Sequence, residues 1–349
     1  MLNEILNKYG LTQNEVVITA FGNGLINNTW MVKAEKHEYI LQKINDSIFK
    51  NPSAISENIR MIGNYLSSNN PDYLFVNARQ TLLQQDIVHV PEHGFFRLFP
   101  FIKDSHTIDV VSTPSQAYEA AKQFGLFTSV LSNFSTEKLH ITLPYFHNLP
   151  LRYQQFKKAN ITGNKKRINE ARDSIQFLTM HRQIVTISEG IPNNPAFKKR
   201  VTHHDTKISN VLFNEKDKGL CVIDLDTLMP GYFISDVGDM IRTYLSPVSE
   251  EEQDFSKIKI REEYFKAIAD GYLSEMQTEL SSTEKEHFLY AGKFMIYMQA
   301  LRFLTDYLND DIYYGAKYEG QNFIRANNQI VLLQKLLDKE AILLKLLND

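Results

Sequence analysis

The sequence predicts an α+β fold of two unequal lobes: a small antiparallel-sheet N-lobe over residues 1–102, and a larger, mostly helical C-lobe over 103–349 that carries one β-hairpin. Three observations predict it. Short runs rich in β-branched and aromatic residues, separated by turn signals, occupy the first hundred positions. Long stretches with helical spacing occupy most of the remainder. Inside that helical part, Val201 to Asp226 breaks the pattern with two apolar runs, Val211 to Phe213 and Leu220 to Ile223, around the turn-like Asn214 to Gly219. With 349 residues, 43% of them hydrophobic, the chain can bury a substantial core.

In chain order, the opening MLNEILNKYGLTQNE is amphipathic and lacks the apolar run of a signal peptide. Glu15 to Phe21 and Thr29 to Val32 read as strands on either side of a glycine turn, Gly22-Asn23-Gly24-Leu25-Ile26-Asn27, and Glu38 to Lys43 as a third. Pro52 to Ser67 reads as a helix. Asp86 to Val90 and Phe95 to Ile102 are two further strands, the second leading into the helical part. Helices are then expected over Pro114 to Leu131, Leu151 to Asn160, Lys165 to Glu189, Arg261 to Met276, Thr283 to Leu308 and Asn322 to Leu347. The apolar stretch His287 to Leu304 is interrupted by Lys293 and Arg302, so it reads as a core helix and no membrane association is expected. A net charge of −3 and a pI near 6.4 argue against a nucleic-acid partner. The single cysteine, Cys221, lies in mid-strand and excludes an intrachain disulfide, which fits a reducing, cytoplasmic setting.

The hairpin segment carries the chemistry. His203, Asp205 and Asn210 have the H-x-D-x-x-x-x-N spacing of a phosphoryl-transfer loop, and the second strand ends in Asp224-Leu225-Asp226. Transfer of a γ-phosphoryl group needs an acceptor hydroxyl held in line and divalent cations on the β- and γ-oxygens. Asp205 is placed to orient the hydroxyl and take its proton. Asn210 and Asp224 offer the oxygen ligands that Mg²⁺ prefers, and folding the hairpin back brings them together. Asp226 could serve a second metal or the acceptor. His203 reads as a buried orienting group, and adjacent histidines with no H-E-x-x-H pattern argue against zinc as a cofactor. Asp236 and Asp239 of DVGDMIR read as structural supports of the hairpin, acids at a helix start where they would cap free N–H groups.

With that loop in place, the glycine turn gains a meaning. Gly22, Gly24, Asn27, Asn28 and Thr29 would let backbone N–H groups approach the phosphates of ATP, although a plain hairpin with two turn glycines has the same pattern. Alternation lets only one of Gln42 and Lys43 face the cleft. Lys43 is the favoured phosphate-side cation, with Glu57 as its candidate partner, and a solvated strand-end lysine remains the alternative. Phe99, Phe101 and Ile102 sit where a hinge would offer backbone groups to adenine. No G-x-x-x-x-G-K-[ST] is present, which argues against a P-loop enzyme.

The segments GNGLINNTW (22 to 30), YILQKINDSIF (39 to 49), RVTHHDTKISNVLF (200 to 213), VIDLDTLMPG (222 to 231), DVGDMIR (236 to 242) and RFLTDYLNDDIYYGAKY (302 to 318) resemble the aminoglycoside phosphotransferase and choline kinase superfamily, and within it the N-acetylhexosamine 1-kinases. The resemblance implies a bilobal protein-kinase-like fold, ATP with Mg²⁺, and phosphorylation of the anomeric hydroxyl of N-acetylglucosamine or N-acetylgalactosamine. It implies Asp205 as base, Asn210 and Asp224 on the metal side, and Arg302 and Tyr313, with Asp205 and Asp224, at the sugar. Chemically, Arg302 is a fork of donors for hydroxyls or an acetamido carbonyl, and Tyr313 offers a ring face and a hydroxyl. One departure bears on the acceptor: those relatives have a histidine just after the second turn glycine, where this chain has Leu25. Other small hydroxyl acceptors, including a choline-like amino alcohol or an aminoglycoside, stay open on this reading, with Asp306, Asp310 and Asp311 as acids for a cationic one. A catalytically silent sugar or nucleotide sensor is the alternative from another class, and the intact Asp205, Asn210 and Asp224 set argues against it.

Overall fold

The computed structural model describes residues 1–12, 16–22, 27–35 and 37–348. The N-lobe runs α1 (Leu2–Lys8), β1 (Val16–Ala20), β2 (Asn28–Ala34), β3 (Glu38–Ile44), α2 (Pro52–Asn69), β4 (Val88–Val90) and β5 (Gly94–Pro100). The five strands form one antiparallel sheet in the order β1-β2-β3-β5-β4. Register decides which side chains meet. Thr29, Gln42 and Arg97 align across β2, β3 and β5, and the next row on that side is Met31, Ile40 and Phe99. Strand alternation turns Trp30, Leu41 and Leu98 to the other face, where Ile5 and Leu6 of α1 and Tyr9 just after it close a small core of their own. The amphipathic opening segment is therefore the lid of the outer sheet face, each of those side chains contributing about 1.5–3 kcal/mol of burial. The opposite face is left for the cleft.

Helix α2 begins with Asn51 accepting from the Ala54 N–H at 3.2 Å and Pro52 in its first turn. Its buried Asn58 donates to the carbonyls of His140 and Leu228, both at 2.9 Å, and accepts from the His140 N–H at 2.8 Å. This helix is thus tied to the C-lobe by an amide.

The C-lobe continues with β6 (Ser105–His106), α3 (Pro114–Val130), α4 (Leu149–Thr162), α5 (Lys165–Glu170), α6 (Arg172–Met180), α7 (Gln183–Gly190), β7 (Arg200–Thr202), β8 (Val211–Asn214), β9 (Gly219–Val222), β10 (Met229–Gly231), α8 (Phe233–Tyr244), α9 (Glu262–Met276), α10 (Ser282–Glu286), α11 (Phe288–Leu308), α12 (Gln321–Asp338) and α13 (Glu340–Asn348). Three long helices expected from periodicity are broken. Lys165 to Glu189 folds as α5, α6 and α7, with turns at Ala171 and at His181 and Arg182 closed by local carbonyl bonds. Thr283 to Leu308 breaks at His287, after a one-turn helix opened by a capping box between Ser281 and Glu284. Asn322 to Leu347 breaks at Lys339. No glycine or proline lies between Gly163 and Gly190 to flag the break at Ala171, so continuous apolar spacing conceals it.

The hairpin β8–β9 pairs Val211 with Val222 and Leu212 with Cys221, as the two apolar runs predict. Burial pushes the Cys221 thiol up to about 12, so it packs and does not react. Helix α8 lies under the hairpin loop and crosses α11 closely enough that a Cβ at Gly238 would overlap the Ala291 carbonyl oxygen. A larger residue there would push α8 away from the loop it supports. Among the described residues, no helix is long and apolar enough to cross a membrane.

Candidate active site

The loop after β7 is held from below by carboxylates. The N–H groups of His203 and His204 donate to Asp236 at 3.0 and 2.7 Å, and that of Thr206 donates to Asp239 at 3.0 Å. Both acids are buried, and burial raises both pKa values, that of Asp236 to about 7. They stand on α8 but do not cap it, since its first residue follows Tyr232 with no side-chain cap. The N–H groups they satisfy belong to the loop and not to their own helix, so they support the hairpin segment from α8 without capping it. Tyr244 donates to the Thr206 carbonyl at 2.6 Å, and Thr227 to that of His203 at 2.5 Å. His203 is fully buried, and burial lowers its pKa, so its ring is neutral. One tautomer then serves both contacts: Nε2–H donates to the Ile223 carbonyl at 2.9 Å, and Nδ1 accepts from the Asp205 N–H at 3.4 Å.

Asp205 projects from this loop. Asn210 Nδ2 donates to its Oδ2 at 3.0 Å and to its carbonyl at 2.8 Å, and Lys207 Nζ lies 3.1 Å from the same Oδ2. The Ile223 N–H donates to the Asn210 carbonyl at 2.8 Å, which closes the hairpin and sets Asp224 beside Asn210. Asp224 takes a left-handed backbone, φ +59°. Its carboxyl opens onto the cleft while protein surrounds it elsewhere, and desolvation, then the charges of Asp226 and Asp205, push its pKa up to about 7. A carboxylate held near two others is one that a cation would keep ionised. Asn210 spends its amide nitrogen on Asp205, leaving its oxygen toward the cleft. One amide oxygen, one carboxylate and substrate phosphates are a donor set that suits Mg²⁺.

Asn210 and Asp224 line a cavity of about 550 Å³ with Thr29, Gln42, Arg97, Phe99, Phe101 and Ile102. Phe21 meets Phe101 edge-on at 6.1 Å on its apolar side. Of the backbone groups expected to be free at the hinge, the Phe101 N–H is taken by the Glu38 carbonyl at 2.9 Å, and the Ile102 carbonyl by the Ser105 hydroxyl at 2.6 Å. Gly22 adopts φ +71°, which glycine supplies without strain, at the entrance to the turn. Gly24 and Leu25 lie outside the described residues. Asn27 and Asn28 do not line the cavity: Asn28 is exposed opposite Lys43, and Asn27 donates to Asp226 Oδ2 at 2.8 Å.

The structure answers the question of Gln42 and Lys43 in favour of Gln42. Lys43 stands opposite the fully buried Phe96, on the sheet face away from the cavity, with its Cε near Gly94. Its expected partner Glu57 is instead 2.7 Å from His140 Nε2 at the surface. Asp226 is 2% exposed and held by Arg97 and Asn27, which leaves no room for a metal or an acceptor on it.

Arg302 and Tyr313 come together in a second cavity of about 400 Å³, with Arg152, Asp306 and Tyr314. Arg302 Nη1 donates to Gln299 at 2.9 Å, and its guanidinium lies over the rings of Tyr314 and Phe146 at 5.4 and 5.8 Å. Phe146 stacks on His147 at 4.4 Å, and His147 Nδ1 is 3.3 Å from Nδ1 of His204, the neighbour of Asp205. This chain of contacts links the Arg302 wall to the catalytic loop. The three acids read as candidates for a cationic acceptor are engaged elsewhere. Asp306 accepts from the N–H groups of Tyr313 and Tyr314 at 2.7 and 2.8 Å, Asp310 from Asn164 at 2.8 Å, and Asp311 pairs with Arg167 at 2.6 Å.

Sequence reasoning overlooked three cations at these sites. Lys207 had a signal, its place two residues after Asp205 within the loop motif. Arg97 and Arg152 had none, because each lies in an element read only for its apolar pattern.

The sequence profile of the phosphotransferase enzyme family matches residues 17–277, and the chain belongs to that family. Its fold is that of kinases solved from other sources. The microcompartment-associated aminopropanol kinase is similar over 97% of each chain with a TM-score of 0.68 at 14% identity. The amicoumacin kinase, solved in complex with AMP-PNP, Ca²⁺ and Ami, matches over 97% of this chain and 92% of its own, with a TM-score of 0.64 at 13% identity. Choline kinase from Cryptosporidium parvum Iowa II matches over 96% and 94%, with a TM-score of 0.59 at 16% identity.

Proposed function

We propose that the protein is an ATP-dependent kinase of the anomeric hydroxyl of an N-acetylhexosamine, yielding the hexosamine 1-phosphate and ADP. Adenine would sit in the apolar end of the 550 Å³ cavity against Phe99, Phe101 and Ile102, with its triphosphate running past Thr29 toward Asn210 and Asp224. Those two residues would hold Mg²⁺, which when bound neutralises charge on the β- and γ-phosphate oxygens. Asp205, kept in place by Asn210, accepts the proton of the acceptor hydroxyl as its oxygen bonds to the γ-phosphorus and the bond to the ADP oxygen breaks. Lys207 lies where it would balance Asp205 and meet the transferred group. A cytoplasmic setting belongs to the same proposal.

The observation that carries the acceptor assignment is the charge of the second cavity. It is lined by Arg152, Lys158 and Arg302, and the one acid among its described lining residues, Asp306, is 4% exposed and spent on two backbone N–H groups and the Asn322 amide. Such a wall repels a quaternary ammonium or an aminoglycoside and suits hydroxyls and an amide carbonyl. The test is ADP release from Mg²⁺-ATP with N-acetylglucosamine, N-acetylgalactosamine, choline and an aminoglycoside, with the 1-O-methyl glycosides as controls. Turnover on the free sugars and none on the glycosides is expected. Turnover on the cationic acceptors alone would replace this reading.

A further inference from the structure

In protein kinases the cation on the nucleotide phosphates is a lysine of the third strand, paired with a glutamate of the following helix. Neither half of that arrangement is in place here, since Lys43 is on the outer face of β3 and Glu57 faces His140. The cleft face instead carries Arg97, on the neighbouring strand β5 and directly opposite Gln42. Its side chain is 1% exposed. Nε and Nη2 donate to Gln42 Oε1 at 3.2 and 3.0 Å, Nη2 pairs with Asp226 Oδ1 at 2.5 Å, and the guanidinium lies 4.9 Å over the Phe99 ring. Nη1 is buried with no partner.

That orphan is informative. A guanidinium stays charged and presents five donors, so a buried nitrogen left unpaired is costly unless something arrives to accept from it. Among the described residues lining the 550 Å³ cavity, Arg97 is the only lysine or arginine, and it shares that cavity with Thr29, Asn210 and Asp224. Polyphosphate oxygens are the acceptors that such a fork fits.

We propose that Arg97 is the phosphate-binding cation of this protein, supplied by β5 in place of a β3 lysine, with Nη1 donating to a polyphosphate oxygen of the nucleotide. The proposal deepens the nucleotide-binding reading above and rests on it. Gln42 and Asp226 hold the fork so that its free edge meets the phosphates. Because Asp226 follows the catalytic hairpin in the C-lobe and also binds Asn27 at the foot of the glycine turn, the pairing that steadies the cation crosses between lobes. In the lysine–glutamate arrangement it stays within one.

The experiment measures the affinities of adenosine and ADP, without metal, by calorimetry on the full chain. Wild type should bind ADP more tightly than adenosine. Arg97→Lys, and the double variant Arg97→Met with Asp226→Asn that leaves no buried carboxylate unpaired, should lose about 10- to 100-fold in ADP affinity while binding adenosine as before. An unchanged ratio of ADP to adenosine affinity in either folded variant would overturn the assignment of Arg97 alone. Equal affinities in wild type would overturn the nucleotide reading itself. Should both variants fail to fold, a crystal structure of wild type with ADP decides: Nη1 within hydrogen-bonding distance of a phosphate oxygen is expected, and phosphates contacted by Lys43 or Lys207 with Nη1 still unpartnered would refute it.

Discussion

The catalytic loop and the acceptor wall differ in how firmly their working side chains are held. Around Asp205 the backbone is bound from below: Asp236 and Asp239 accept its N–H groups, Tyr244 and Thr227 donate to its carbonyls, and His203 bridges it to the hairpin. Around Arg302, Asp306 braces the backbone of Tyr313 and Tyr314, but the side chains that face the acceptor are held far less. Tyr313 is 71% exposed, and Arg302 has Gln299 as its polar partner and two ring faces for the rest. Chemistry that must place a hydroxyl in line with phosphorus needs a preorganised base, whereas a wall of exposed donors can be exchanged without disturbing that base. The difference separates rate from selectivity.

The largest effect should come from the base itself. Asp205→Asn is expected to lower turnover by about 10²- to 10⁴-fold while leaving ADP affinity unchanged, as read by steady-state kinetics and calorimetry. Wild-type turnover in that variant would remove Asp205 from the mechanism.

Next in size is the support beneath it. Asp236→Ala strips the acceptor from two buried N–H groups and should cost about 2–5 kcal/mol in denaturant unfolding, with activity lost alongside. A stable variant with full activity would show that the loop does not depend on α8.

The histidine pair gives a pH test with a definite sign. Burial, and then the neighbouring His203, lowers the pKa of His204 to about 3 in the folded protein, against 6.5 when unfolded. Below pH 6.5 the unfolded chain takes up a proton that the folded chain refuses, so this contribution is whole above pH 6.5 and is lost as the pH falls toward 3. Asp236, raised by burial, works in the opposite sense over part of the range. The comparison is therefore with His204→Asn, whose side chain tolerates the left-handed backbone at φ +67°. The stability difference between wild type and variant should shift by at most about 1.4 kcal/mol per pH unit below 6.5, to the disadvantage of wild type. Parallel pH curves would mean that His204 titrates normally.

The smallest effect is expected at the acceptor wall. Tyr313→Ala should raise the KM for the sugar by about tenfold, with the KM for ATP and the melting temperature unchanged. A fall in kcat of the size seen for Asp205 would erase the distinction between the two regions.

Much of the machinery was legible because its parts lie close in sequence. The spacing of His203, Asp205, Asn210 and Asp224 reports a loop and a hairpin whose ends must meet, and the structure joins them through one backbone bond from Ile223 to Asn210. The role of His203 as a buried orienting group followed from its place in that loop. The breaks at Ala171, His287 and Lys339 were not legible, since apolar spacing continues through a turn made by local bonds. Asp226 looked available for a metal until its partners were known.

By itself the sequence determined the two-lobed α+β class, the approximate places of the N-lobe strands and the hairpin, and the residues that could carry phosphoryl transfer, because periodicity and short-range spacing are local properties. Tertiary structure alone decided which face of the sheet became the cleft. Once α1 covers the outer face, strand alternation sends Lys43 away and brings in Gln42, and register then sets Arg97 beside it. No local pattern encodes that outcome, because it depends on which distant segment buries its apolar side chains against the sheet, and the same burial leaves Arg97 paired with a carboxylate of the other lobe.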